Sequence, residues 1–324
     1  MKKNVAILSG GFSSEFDVSI QSGDVIFQNI DRNKYTPFKI VIKKDSWLYH
    51  SSDGEKIAVN KEDFSIEIGK NRINFDVVII MIHGSPGEDG ILQSYFDLLG
   101  IPYTGCNSYT SALTFNKRDC ISVLKKYNIP TAKSVHINCS DIIEPTQIID
   151  ELGLPCFVKA NKSGSSFGVY KVHSVSELSS AVKKAFEFDN EILIESFLEG
   201  TEVSVGVMKY KNETVVFGIT ELISENDFFD YDAKYHGQSQ EITPANISAV
   251  QRKNVSEIAV KIYNKLGIKG ISRSEFIFVD QIPHFLELNS IPGMTNESIF
   301  PKQAKNIGIS VKEIIDELIE QTFI

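Results

Sequence analysis

Val77-Val78-Ile79-Ile80-Met81-Ile82 is an unbroken apolar run that stops at His83-Gly84, and it constrains the fold more than any other stretch. Such a run reads as a buried strand. Val5-Ala6-Ile7-Leu8, ending at Gly10-Gly11, is a second, and Pro37-Phe38-Lys39-Ile40-Val41-Ile42 a third. Helix-like segments at Val18–Ile26 and Ile91–Leu99 alternate with them. This βαβ rhythm predicts an open parallel sheet that binds ligands at the carboxyl ends of its strands.

From about Asn116 the pattern changes. A helix over Arg118–Tyr127 precedes the strand Cys156-Phe157-Val158-Lys159, a Gly/Ser loop, and the strand Gly168–Val172. Ile192-Leu193-Ile194-Glu195 is another strand. After Glu202 the strands look antiparallel and end in a hairpin, 271–279 and 284–289, behind a helix over Val250–Leu266. The length, 324 residues, accommodates two or three domains. We expect α/β and α+β parts: an N-terminal open parallel-sheet (Rossmann-like) domain over 1–115, then lobes over 116–200 and 201–324.

A net charge of −9 argues against non-specific nucleic-acid binding, which needs a basic footprint. The four cysteines are widely spaced and read as reduced thiols of an intracellular protein. The opening run is too short for a signal peptide's apolar region. No stretch approaches the roughly 18 apolar residues of a membrane span. The expected location is cytoplasmic.

Gly10-Gly11-Phe12-Ser13-Ser14-Glu15 lacks the third glycine of a dinucleotide fingerprint, and Glu15 would repel an anion there. A carboxylate at that strand end suits an ammonium group; interaction with a helix dipole accounts for it equally well. Gly164-Ser165-Ser166-Phe167-Gly168 matches a hydrolase nucleophile pattern, but strand rather than helix follows it. A Gly/Ser loop between two strands is better suited to covering phosphates, with Lys159 supplying the charge. In the hairpin, Arg273 and Glu275 share one strand face, and Glu287 and Asn289 share another. Either this is a solvated surface, or two carboxylates, an amide oxygen and a guanidinium converge on Mg²⁺ and a phosphoryl group. Pro292-Gly293, which frees a backbone N–H beside the charges, favours the second.

Taken in order, Lys159, the 164–168 loop, Glu195, Glu202, Arg273-x-Glu275 and Glu287-x-Asn289 resemble the ATP-grasp superfamily. Three further stretches narrow the resemblance to the D-alanine–D-alanine ligase family: Gly10 to Ser19, His83-Gly84-x-x-Gly87-Glu88-Asp89-Gly90, and Asn289-Ser290-x-Pro292-Gly293-Met294-Thr295. Tyr231-Asp232 with Lys234-Tyr235 agrees with it as well. The resemblance implies a two-lobed ATP-grasp fold with antiparallel sheets and ATP-driven ligation of two D-alanines for peptidoglycan precursors. It places the first substrate's ammonium on Glu15 near His83, and the second substrate on Ser298 and Ile299. It places ATP on Lys117, Lys159, Ser165, Ser166, Glu195, Glu202 and Lys234. Two Mg²⁺ (or Mn²⁺) fall to Glu275, Glu287 and Asn289, and the oxyanion to Arg273 and the Gly293 N–H. The resemblance also puts Lys234 and Tyr235 on a loop that would close over Ser165, and this Lys-Tyr pair implies an amine acceptor rather than D-lactate. The family further implies a homodimer.

Two positions depart from the family pattern: Glu275 where Asp is commoner, and Ser196 where Lys commonly follows the adenine-side Glu195. Two other readings stay open. One is another ATP-grasp carboxylate–amine or depsipeptide ligase. The other is a non-catalytic nucleotide binder, against which the intact set at Arg273, Glu275, Glu287 and Asn289 argues.

Overall fold

The computed structural model describes residues 2–164, 167–224 and 239–323. Strand β1 (Lys3–Gly10) is paired in parallel with β2 (Tyr35–Ile42) on one side. Beyond β2 lie two short antiparallel strands, β3 (Trp47–His50) and β4 (Lys56–Ala58). A separate small hairpin follows, β5 (Ile66–Ile68) with β6 (Asn71–Ile73). On the other side of β1, β7 (Val77–Ile80) pairs in parallel. The parallel core is therefore three strands, extended by an antiparallel edge that the apolar runs do not announce. Val5, Ala6, Ile7, Leu8 and Val77 to Ile82 are all nearly closed to water, as their patterning requires. Helices α1 (Phe16–Asn29) and α2 (Ile91–Leu99) belong to this unit, and α3 (Ser108–Phe115) leads out of it.

Helix α4 (Lys117–Lys126) opens the next part. A four-stranded antiparallel sheet follows, in the order β10-β9-β11-β8. Its strands are β8 (Ser134–Asn138), β9 (Cys156–Ala160), β10 (Val169–Val172) and β11 (Glu191–Ser196). Helices α5 (Pro145–Leu152) and α6 (Val175–Ala185) bury Ile148, Leu152, Leu178 and Val182 in a core shared with this sheet.

The last sheet runs β14-β13-β12-β15-β16 and is antiparallel throughout. It comprises β12 (Thr201–Tyr210), β13 (Glu213–Ser224), β14 (Ser239–Ile242), β15 (Ile271–Val279) and β16 (Ile282–Asn289). Helix α7 (Ala249–Lys265) packs Val255, Ala259 and Ile262 into a core with Phe276, Phe278 and Phe285. A capping box between Ser248 and Gln251 fixes its start, a device worth about 1 kcal/mol. Helix α8 (Ile299–Asn306) lies close against β12 and β13 because Gly206 and Gly218 face each other there. A β-carbon on either glycine would run into Gln303. This close approach sets the height of Ser298, at the start of α8, above the sheet. Helix α9 (Val311–Glu320) returns to the first unit, where Asp316 pairs with Lys34 at 3.0 Å.

Candidate active site

The hairpin β15–β16 carries the densest charge. Arg273 lies opposite Asn289 and Glu275 opposite Glu287, so all four side chains share one face. The turn alone does not produce this alignment. Val279 pairs with Ile282 across a two-residue turn, which would set Leu286 against Glu275 and send Glu287 to the other face. The register slips by one between Phe276 and Glu275, leaving Leu286 unopposed, and this irregularity turns Glu287 and Asn289 toward Arg273. The Arg273 guanidinium sits 3.3 Å from the Glu275 carboxylate, which is 5% exposed as a residue.

Facing this edge is a cavity of about 430 Å³. Nine expected site residues line it: Glu15, His83, Lys117, Arg273, Glu287, Asn289, Gly293, Ser298 and Ile299. Each arrives by a different local device. Glu15 stands at the N-terminus of α1, after a turn through Gly10 and Gly11 at φ 97° and 107°, the left-handed region that glycine adopts without strain. Its carboxylate lies against Gly164, where a β-carbon would come within 3.2 Å. Gly293 lies so near Ser298 that a β-carbon there would stand 2.7 Å from its Oγ. Ser298 Oγ in turn accepts from the Thr295 N–H at 3.1 Å.

Lys117 occupies the first turn of α4, where the helix dipole disfavours a cation. Two acceptors offset that cost: the Ser163 carbonyl at 2.6 Å and Glu287 Oε2 at 3.4 Å. Asn161, nearly closed to water, seals the helix start. Its Oδ1 accepts from the Arg118 N–H and its Nδ2 donates to Asn116 Oδ1. A helix N-terminus bearing a lysine is a ready anion site.

Lys159 and Glu195 lie on paired strands β9 and β11, apart from the cavity lining, with Nζ and Oε2 2.7 Å apart. Burial would depress the Lys159 ammonium. The Glu195 charge and hydrogen bond, with Glu287 and Glu202 beyond, outweigh it and hold the group above its ordinary range. This shared field ties Glu202 and Glu287 to the Lys159 side of the site. Ser196 accepts the Lys133 N–H at 3.1 Å, so that position serves strand pairing. Ser165, Ser166, Lys234 and Tyr235 lie outside the described residues.

His83 is present but committed. Its Nδ1 meets the Ile291 carbonyl at 2.8 Å and its Nε2 the Ser22 hydroxyl at 3.4 Å. Burial keeps its pKa low. Glu88, given no role by sequence reasoning, lines the cavity and is 8% exposed. Burial, with Glu15 nearby, pushes its carboxyl up to about 7. The only sequence signal was its place in the string after His83; that of Asn161 was its position directly after β9.

Among the described residues no group of three His, Cys, Asp or Glu side chains is assembled into a protein-only metal cage. What the hairpin offers, two carboxylates and an amide oxygen, fits a hard cation that takes the rest of its shell from water and phosphate.

Two family models match the chain: D-Ala D-Ala ligase N-terminus over residues 4–106 and D-Ala D-Ala ligase C-terminus over 123–320. The chain belongs to the D-alanine–D-alanine ligase family. It is 52% identical to the D-alanine–D-alanine ligase of Flavobacterium johnsoniae over 98% of both chains. It is 50% identical to that of Christiangramia forsetii over 99% of this chain and 98% of the relative. Among solved structures, VanG D-Ala:D-Ser ligase from Enterococcus faecalis superposes with TM-score 0.86 at 32% identity, covering 99% of this chain and all of that one. A D-alanine–D-alanine ligase from Bacillus anthracis complexed with ATP gives 0.81 at 27%, over 99% and 97%. The fold is thus the ATP-grasp architecture expected of the family, with the hairpin face and cavity in one place.

Proposed function

We propose that this family member joins two D-alanines at the expense of ATP, with Glu15, Lys117, Arg273, Glu275, Glu287, Asn289, Gly293 and Ser298 as its working residues. The observation that carries this is the hairpin register: it sets Arg273, Glu275, Glu287 and Asn289 on one face, with Glu15 lining the same cavity. An ammonium on Glu15 directs the first substrate's carboxylate toward Arg273. That carboxylate attacks the γ-phosphorus of ATP; the bond to the β-phosphate oxygen breaks and ADP leaves. The amine of the second D-alanine, its carboxylate at Ser298, attacks the acyl phosphate carbonyl. The bond between the carbonyl carbon and the bridging oxygen breaks, and that oxygen leaves with the phosphate. The attacking NH₂ loses one proton to the departing phosphate or water and keeps the other as the amide N–H.

Arg273 and the Gly293 N–H bear on the oxyanion of that step, donors of a kind worth roughly 3–4 kcal/mol each. Lys117 and Lys159 hold phosphates, and Glu195 and Glu202 the nucleoside. Glu275, Glu287 and Asn289 would hold Mg²⁺, which when bound neutralises charge on the transferring phosphoryl group. Ser165, Ser166, Lys234 and Tyr235 are assigned to the cover of the site by resemblance alone. The division into 1–115, 116–200 and 201–324 follows the three main sheets. Among the described residues no helix is long and apolar enough to cross a membrane. A cytoplasmic homodimer completes the proposal, with sedimentation equilibrium as its check.

The competitor is the acceptor, since VanG is a D-Ala:D-Ser ligase. ADP release with ATP, Mg²⁺ and a panel of D-alanine, L-alanine, D-serine and D-lactate separates the readings. D-alanine alone should support turnover and yield the dipeptide. Turnover that needs D-serine or D-lactate beside D-alanine would reassign the acceptor.

A further inference from the structure

Asn289 ends β16 and Gly293 lies in the loop that follows, yet much of what fixes this loop comes from the first unit. The Ile291 N–H donates to Glu88 Oε1 at 3.2 Å, and the other Glu88 oxygen accepts from the Gly84 N–H at 2.8 Å. The Ile291 carbonyl can only accept, so His83 Nδ1 is the donor at 2.8 Å. A neutral ring with its proton there leaves Nε2 to accept from Ser22 Oγ. Ser22 Oγ then accepts from the Met294 N–H at 3.1 Å. Both amides that flank Pro292-Gly293 are therefore held by side chains more than two hundred positions away in sequence.

The Ile291 N–H is shared. Asn289 Oδ1 also approaches it, at 3.1 Å. Whatever share of that N–H Glu88 takes, Asn289 Oδ1 is spared. Only a carboxylate fits this duty: two N–H donors need two acceptor oxygens, whereas an amide would turn an NH₂ toward one of them. Its burial is expensive, beside Glu15 and Glu287, and an apolar residue would leave the Gly84 N–H unpaired and the Ile291 N–H to Asn289 Oδ1 alone.

We propose that Glu88 is a positioning residue of the ligation site: bridging the Gly84 and Ile291 amides, it aims the Gly293 N–H and competes with Asn289 Oδ1 for the Ile291 N–H that the two share. This rests on the ligase reading for its consequence in turnover, though not for its geometry.

The test is Glu88→Gln in the full chain, with Glu88→Ala beside it. In Glu88→Gln, kcat should fall about ten- to hundredfold. KM for ATP should stay within about twofold, because Lys159 and Glu195 are untouched. Glu88→Ala should lose about tenfold more. Amide exchange on protein without nucleotide or metal gives the second readout. The Ile291 and Gly84 amides should exchange faster in both variants, while Val5 to Leu8 stay protected. Unchanged exchange at Ile291, or kcat within twofold of the parent chain, overturns the proposal. So does a loss of protection through β1, which would make Glu88 a general structural residue. If the parent chain ligates nothing, the ligase reading fails, and the exchange arm still decides whether Glu88 holds this loop.

Discussion

Lys117 Nζ lies 3.4 Å from Glu287 Oε2, so the helix bearing the lysine is tied to the hairpin edge. A phosphate and a cation would replace this pairing with two better ones. Glu287→Ala should therefore leave metal-free ATP binding within a few-fold while cutting kcat by about a hundredfold or more. Calorimetric titration with and without Mg²⁺, beside steady-state rates, checks it. Normal turnover in Glu287→Ala would show that the metal lies elsewhere.

Lys159 and Glu195 form a pair at 2.7 Å, with Glu195 3% exposed. Removing one member strands the other. Lys159→Met should cost about 3–5 kcal/mol of unfolding free energy, and Lys159→Met with Glu195→Leu should recover most of it. Urea unfolding of the four members of the cycle reads this. ATP affinity should not return in the double variant.

Glu88 gives a pH signature. Its folded pKa, about 7, is raised above the 4.5 of the unfolded chain. The folded state therefore holds a proton that the unfolded state has lost between those values. That contribution to stability is fully present below 4.5 and disappears as pH rises through about 7. Relative to Glu88→Gln, the parent chain should lose on the order of 3 kcal/mol across that window. Taking the difference removes the contribution of His83, whose burial acts in the opposite sense. Chemical unfolding at a series of pH values checks the slope. A flat difference would refute it.

Gly293→Ala would set a β-carbon 2.7 Å from Ser298 Oγ. Either Ser298 or the Gly293 backbone must move, and both belong to the proposed chemistry. Activity should fall at least about tenfold while the melting temperature moves by only a few degrees. A large melting shift with proportionate loss of activity would instead mark a packing defect.

Much of this site was legible from spacing. Arg273-x-Glu275 and Glu287-x-Asn289 share strand faces because strands alternate with a period of two. Whether the two faces coincide was not legible. An odd number of residues separates Glu275 from Glu287, whereas the two-residue turn at Asp280-Gln281 demands an even one, and the slip at Leu286 reconciles them. That slip, one extra residue on β16, has no mark in the local sequence pattern. The parallel core was visible in its apolar runs, but β3 and β4 were not, being short and partly exposed. Glu88 stands in the His83-to-Gly90 stretch that carries the resemblance, but is given no role there. Its burial and its two amide partners exist only once residue 291 is folded against it.

The central claim is an acyl phosphate formed from the first D-alanine. It is tested most directly by supplying D-alanine whose carboxylate is labelled with heavy oxygen, then analysing the released phosphate by mass spectrometry. One labelled oxygen per turnover should appear in phosphate, matched by D-alanyl-D-alanine and ADP. Unlabelled phosphate alongside genuine dipeptide, or no D-alanine-dependent phosphate from a well-folded preparation, would contradict the account.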